Sequence, residues 1–128
     1  MLHGGWRGVA AGILERGIAL LRHMTGAEAA GFFLHLGPAI CGRCYEVGPE
    51  VFHALGLPVP AHPAPVDLRG ALAERARRLG IAAGQISISG FCTRCGGDDG
   101  GAGPSPFFSH RGGCLERQLG YLAVQPDA

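Results

Sequence analysis

Apolar residues recur at helical spacing through the first part of the chain. Between Gly8 and Met24, Ala10, Ile13, Leu14, Leu20, Leu21 and Met24 fall near one face, while Glu15, Arg16 and Arg22 lie largely away from it. The pattern predicts a first helix over 8–24. "GFFLHLGP" (31–38) is short, aromatic and bounded by breakers, which predicts a buried strand ending in a turn. "EVGPEVFHALGL" (46–57) predicts a short helix, with Pro49 at its first position, Glu50 at its positive end and Gly56 as its cap. "PVPAHPAP" (58–65) is an extended proline connector. Asp67 then caps a helix whose stripe is Leu68, Leu72, Ala76 and Leu79 and which ends at Gly80. Arg75, Arg77 and Arg78 on this helix read as a solvated face.

The second half changes character. In "QISISGF" (85–91), Ile86 and Ile88 face one way and Ser87 and Ser89 the other, as in a half-buried strand. "FFSH" (107–110) and "GYLAV" (120–124) are further strand candidates. Between them and the first strand lies "GGDDGGAGPSP" (96–106), a Gly/Asp/Pro insertion expected to be flexible. The order of elements is that of an α/β (α+β) half-domain with exposed layers.

Composition narrows the function classes. The chain has 128 residues, 47% hydrophobic and 16% charged, with a formal net charge of +1. That size suits one domain, and that charge gives no reason to expect nucleic acid or an acidic membrane surface. No segment reaches the ~18 apolar residues of a membrane span. No secretory leader is evident, and five cysteines in two CxxC pairs plus a single suit metal or reduced thiols better than a disulfide framework. A cytoplasmic location is expected. All eleven basic residues are Arg.

The sharpest chemical pattern is "CGRC" at Cys41 and Cys44 with "CTRC" at Cys92 and Cys95. Two such knuckles can set four thiolates around a zinc ion, and Gly42 allows the tight turn a knuckle needs. Against this, two predicted helices separate the pairs, far more than in a compact zinc ribbon. The competing reading is two unrelated buried cysteine pairs. Of the six histidines, His35 reads as a satisfied strand residue, and His23, His53 and His62 as structural or solvated. His3 differs, because Gly4 and Gly5 permit close approach where a turn can present a ligand or base. His110 comes next. Cysteine–histidine catalysis would pair Cys44 or Cys92 with His3 or His110, but the spacing selects no pair. Arg7, Arg43, Arg94, Arg111 and Arg117 fall in Gly/Cys-rich segments, where guanidinium groups suit a phosphate or carboxylate ligand. The segment "GPAICGRCYEVGPE" matches no P-loop or dinucleotide fingerprint.

Taken together, "HGGWRGVAAGI", "GPAICGRCYEVGPEV", "DLRGALAERARRLGI", "CTRC" and "FFSHRGGCLERQLGYLAV" resemble, in order, the C-terminal half of the YfiH-like family. This family is also called the multicopper polyphenol oxidase or laccase-domain family, and its members are regarded as purine nucleoside phosphorylases with adenosine deaminase activity. The resemblance covers nearly the whole chain, 1–128, as the C-terminal portion of one domain. It implies a layered mixed sheet with flanking helices, incomplete without the N-terminal half. In the family a zinc or copper ion is held by two His and one Cys. His3 matches one ligand; the other His and the Cys belong to the upstream half. Met1 is therefore expected to be an internal or misassigned start, or the chain a fragment. A partner chain or the missing half must complete the site, and the isolated chain is expected to be inactive and to expose apolar surface.

What the resemblance implies for chemistry follows from the same motifs. Substrates are purine nucleosides (adenosine, inosine or methylthioadenosine) and phosphate, with Arg7, Arg111 and Arg117 as candidate phosphate-binding residues. Metal-activated water would deaminate adenosine at C6, and phosphate would attack ribose C1′. The chain departs from the family pattern at Gly4 (usually Ala), at His110 (where Tyr is common), in "CLERQ" and in the 96–106 insertion. Cys41 is not a usual family position, whereas Cys44 and Cys92 are nearer to common ones. Two other readings stand beside this one. Copper-dependent phenol oxidation lacks the clustered His-x-His ligands that several copper centres need. A non-enzymatic four-cysteine zinc module would rest on Cys41, Cys44, Cys92 and Cys95.

Overall fold

The structure, a computed structural model, describes residues 1–97, 104–123 and 125. Helix α1 (Trp6–Ala10) and helix α2 (Ile13–Thr25) replace the single predicted helix. The break falls at Gly12, whose φ of 77° is left-handed, a conformation glycine adopts at little cost. Periodicity could not reveal it, because apolar spacing continues across the kink. Only Leu14 and Ile18 of α2 are buried; Leu20, Leu21 and Met24 are exposed, since no described element covers that side.

Strand β1 (Leu34–Leu36) follows, then β2 (Glu46–Val47), helix α3 (Pro49–Leu55), β3 (Ala64–Pro65), helix α4 (Leu68–Arg78) and β4 (Ile86–Ile88). The punctuation read from the sequence is borne out in α3 and α4. Pro49 opens α3, Gly56 closes it with φ 69°, and Asp67 Oδ1 accepts from Gly70 N at 3.0 Å to cap α4. The proline connector, expected to be extended, bends at Ala61–His62, and its end pairs antiparallel with β2.

β1 and β4 pair in parallel, Leu34 with Ile86 and Leu36 with Ile88. An isolated parallel bridge between Ala39 and Cys92 carries the alignment past the strand ends. Helix α4 packs against both strands and α1 packs against α3, enclosing a core that includes Val9, Leu14, Ile18, Val51, Leu55, Leu72, Ala76 and Ile81. The opposite side of the strand pair is open: Phe33 is 81% exposed, and His35 bonds Ser87 at 2.8 Å at the surface. The α/β class expected from the sequence holds.

Three expectations need correction. Phe107–His110 and Gly120–Ala123 are not strands, and Val124 lies outside the described residues. A strand needs a neighbour to take its ladder, and no described strand lies beside either segment; Phe108 N instead donates to the Gln118 side chain at 2.9 Å. Arg75 is not part of a solvated face. Its guanidinium reaches back to the carbonyls of Val9 and Leu55, both at 2.7 Å, tying α4 to the ends of α1 and α3. Arg77 and Arg78 do stay at the surface beside Glu74. Residues 98–103 of the predicted flexible insertion lie outside the described residues.

Candidate functional site

Parallel pairing explains how cysteines fifty residues apart in sequence can meet. Both CxxC knuckles leave the same end of the strand pair, Cys41 shortly after β1 and Cys92 shortly after β4. The helices between them are the crossover that a parallel pair requires, so their length is no objection to a shared site. The reading of two unrelated cysteine pairs is overturned: the four Sγ atoms lie within 4.8 Å of one another. Cys41 and Cys92 are buried, Cys44 and Cys95 partly so.

Each knuckle is a tight turn. Cys44 N and Tyr45 N donate to Cys41 O, and Gly96 N donates to Cys92 O with Gly96 at a φ of 90°. A Cβ on Gly42 would sit 3.1 Å from Asp67 Cβ, so the first knuckle depends on a glycine pressed against the start of α4. The arginines cross over. Arg94 donates to Cys44 O at 3.1 Å, and Arg43 reaches Gly97 O at 3.5 Å, so each knuckle's arginine holds backbone at the other knuckle. Arg69, which carried no sequence signal, is buried and donates to Ser89 O and Phe91 O, fixing the approach to the second knuckle. Ser105 bonds Cys92 O at 2.9 Å, and Phe107 meets Phe91 edge-on at 5.6 Å.

The thiols are electrically unequal. Burial is the largest influence on Cys92 and opposes ionisation, but backbone N–H groups of Cys95, Cys41 and Arg94 outweigh it and lower its pKa to about 6. Cys44 is pushed up to about 12 by burial first, then by its contacts with Cys41 and Cys95. Cys95 is raised, chiefly by its contact with the Cys92 side chain and then by burial. Several like charges in so small a volume repel unless a cation joins them.

The residues expected at a nucleoside site lie elsewhere. His3 is exposed at the entry to α1, and a Cβ on Gly5 would approach its Nε2 to 3.4 Å, so the glycine leaves room for the imidazole. His3 shares an open depression with Gln118, Leu119 and Gly120. Arg7 lies over the Trp6 ring at 4.7 Å. Arg111 stacks on Tyr45 at 5.1 Å and donates to Glu46 O at 2.6 Å. Arg117 donates to the carbonyls of Cys114, Leu115 and Glu116 in its own turn. No described hydrogen bond or ion pair joins these four side chains. Among the described residues, the four cysteines are the only group of three or more His, Cys, Asp or Glu placed to share an ion. His3 by itself therefore does not make a metal centre.

Comparison with known proteins decides the family. The profile described as multi-copper polyphenol oxidoreductase laccase matches residues 1–124. The chain belongs to this family. It is 35% identical to a purine nucleoside phosphorylase of Xylella fastidiosa (strain Temecula1), over 97% of this chain and 46% of the relative. It is 34% identical to "Adenosine deaminase RL5" from an unknown prokaryotic organism, over 73% of this chain and 39% of that protein. The crystal structure of YlmD from Geobacillus stearothermophilus superposes with a TM-score of 0.71 at 28% identity, covering 84% of this chain and 42% of that one. The YfiH-like resemblance is thus confirmed, and the chain spans about half the length of the curated relatives it matches. No described helix is long and apolar enough to cross a membrane.

Proposed function

We propose that this chain is the C-terminal portion of a single purine nucleoside-processing domain, inactive until an upstream half or a partner chain completes it. The reactions are phosphorolysis of adenosine, inosine or methylthioadenosine, a group transfer to phosphate, and hydrolytic deamination of adenosine. The observation that carries this reading is the placement of His3. An exposed imidazole stands over Gly5 at the entry to α1, within a chain whose relatives bear phosphorylase and deaminase names. His3 supplies one nitrogen toward a zinc ion whose other ligands come from outside these residues. Arg7 stacks by its face and has no described hydrogen bond, so its donor edge is available to phosphate. Arg111 and Arg117 already serve backbone carbonyls and contribute by exchanging those partners for phosphate.

Exposed apolar side chains support the missing layer. Leu115, Leu119, Tyr121 and Leu122 are each at least 85% exposed, and Phe33 lies bare on the strand pair. Burying such surface is what a completing half would do. The reduced cysteines suit a cytoplasmic setting. The test joins the chain to the upstream half of the Xylella relative and assays inosine and adenosine with phosphate. The fusion is expected to turn over nucleoside and to lose that activity with His3→Ala, while the chain alone does not turn over. Robust turnover by the chain alone contradicts the reading, and copper-dependent phenol oxidation by the fusion would replace it.

A further inference from the structure

We propose that Cys41, Cys44, Cys92 and Cys95 bind one zinc ion as a structural staple, a site separate from the nucleoside site and independent of that reading. The first argument is metric. With Zn–S bonds of about 2.3 Å, the edge of a tetrahedral four-sulfur site is about 3.8 Å. The Cys41–Cys95 sulfur separation is 3.8 Å, and all four sulfurs fall within 4.8 Å. A disulfide at about 2.05 Å would need these atoms to move well together.

The second argument is the surroundings. Backbone N–H groups of Cys41, Arg94 and Cys95 point at Cys92 Sγ at 3.3–3.4 Å, an arrangement that stabilises a thiolate. Binding exchanges thiol protons for the metal: one Zn²⁺ and four thiols give a four-thiolate complex of charge 2− and release four protons. Arg43 and Arg94, one from each knuckle, bring two positive charges to the rim and hold the knuckles to each other. The third argument is coordination number. Four protein sulfurs leave no position for water or substrate, which marks a structural ion and not a catalytic one. Soft thiolates in tetrahedral array select zinc over hard cations such as Mg²⁺ or Ca²⁺. The ion would close the open end of the β1–β4 pair, where a two-stranded sheet most needs support.

The experiment measures metal content and zinc K-edge X-ray absorption on protein purified under reducing conditions, comparing the unmodified chain, His3→Ala and Cys41→Ser/Cys92→Ser. One zinc per chain is expected, with four sulfurs at about 2.3 Å. It should persist in His3→Ala and fall to background in the double cysteine variant. Nitrogen or oxygen donors around the zinc, copper in place of zinc, loss of the ion in His3→Ala, or folded metal-free protein in which all five cysteine thiols titrate freely would each overturn the assignment. The absorption spectrum of the unmodified protein decides the question even if the cysteine variant fails to fold.

Discussion

Replacing Arg75 with Met removes the link that α4 makes to the rest of the helical layer. Arg75 Nη1 donates to Val9 O and Nη2 to Leu55 O, both at 2.7 Å, and Val9 and Leu55 are 1% and 3% exposed. A hydrogen bond from a charged group contributes about 1.5–3 kcal/mol, and a buried acceptor left alone costs about as much. Val9 O retains the Gly12 N–H at 3.1 Å, so its loss belongs at or below the low end. Leu55 O has no other described donor, so its loss is the greater. The pair with Glu15, at 3.7 Å, is longer than a hydrogen bond and the Glu15 side chain is 39% exposed, so it adds little. The total is about 3 kcal/mol. With a urea dependence of about 1.5 kcal/mol/M, the unfolding midpoint should fall by about 2 M. Trp6 fluorescence reports the transition, since the only tryptophan sits on α1 and packs on the core that Arg75 secures. Arg78→Met is the control: its side chain is 70% exposed and should shift stability by no more than about 0.5 kcal/mol. Equal midpoints for the two variants would refute the assignment of Arg75 as a clamp.

Two further substitutions test local structure. Asp67→Ala removes the cap of α4 and should cost about 1 kcal/mol in the same urea titration, whereas Asp67→Asn should recover most of it. Gly12→Ala places a Cβ at a φ of 77° and should cost about 1 kcal/mol; an unchanged midpoint would mean that α1 and α2 can merge into one helix.

Local chemistry was legible in the sequence and long-range pairing was not. Asp67, Pro49 and Gly56 act on backbone within a few residues, so α3 and α4 could be bounded from composition alone. Gly12 sits inside an unbroken amphipathic pattern, so its left-handed turn left no trace in the periodicity. Arg75 occupies a position that spacing assigns to the solvent side, yet its partners are carbonyls 20 and 66 residues away. The cysteines gave a clear local signal, but their convergence depends on β1 and β4 running parallel, a fact of topology that spacing between motifs hides. The failed strands at 107–110 and 120–123 show the same limit from the other side. A short apolar or aromatic run marks what can be a strand, and a neighbour decides whether it is.

The two proposed metal sites differ in origin: the four cysteines belong to this chain, whereas the site that includes His3 requires residues beyond it. Metal content should therefore be counted in the chain alone and in the chain joined to the upstream half of the Xylella relative. One ion per chain rising to two in the fusion, and returning to one with His3→Ala, is the predicted result. The same count in both proteins, or a count that ignores His3, would contradict it.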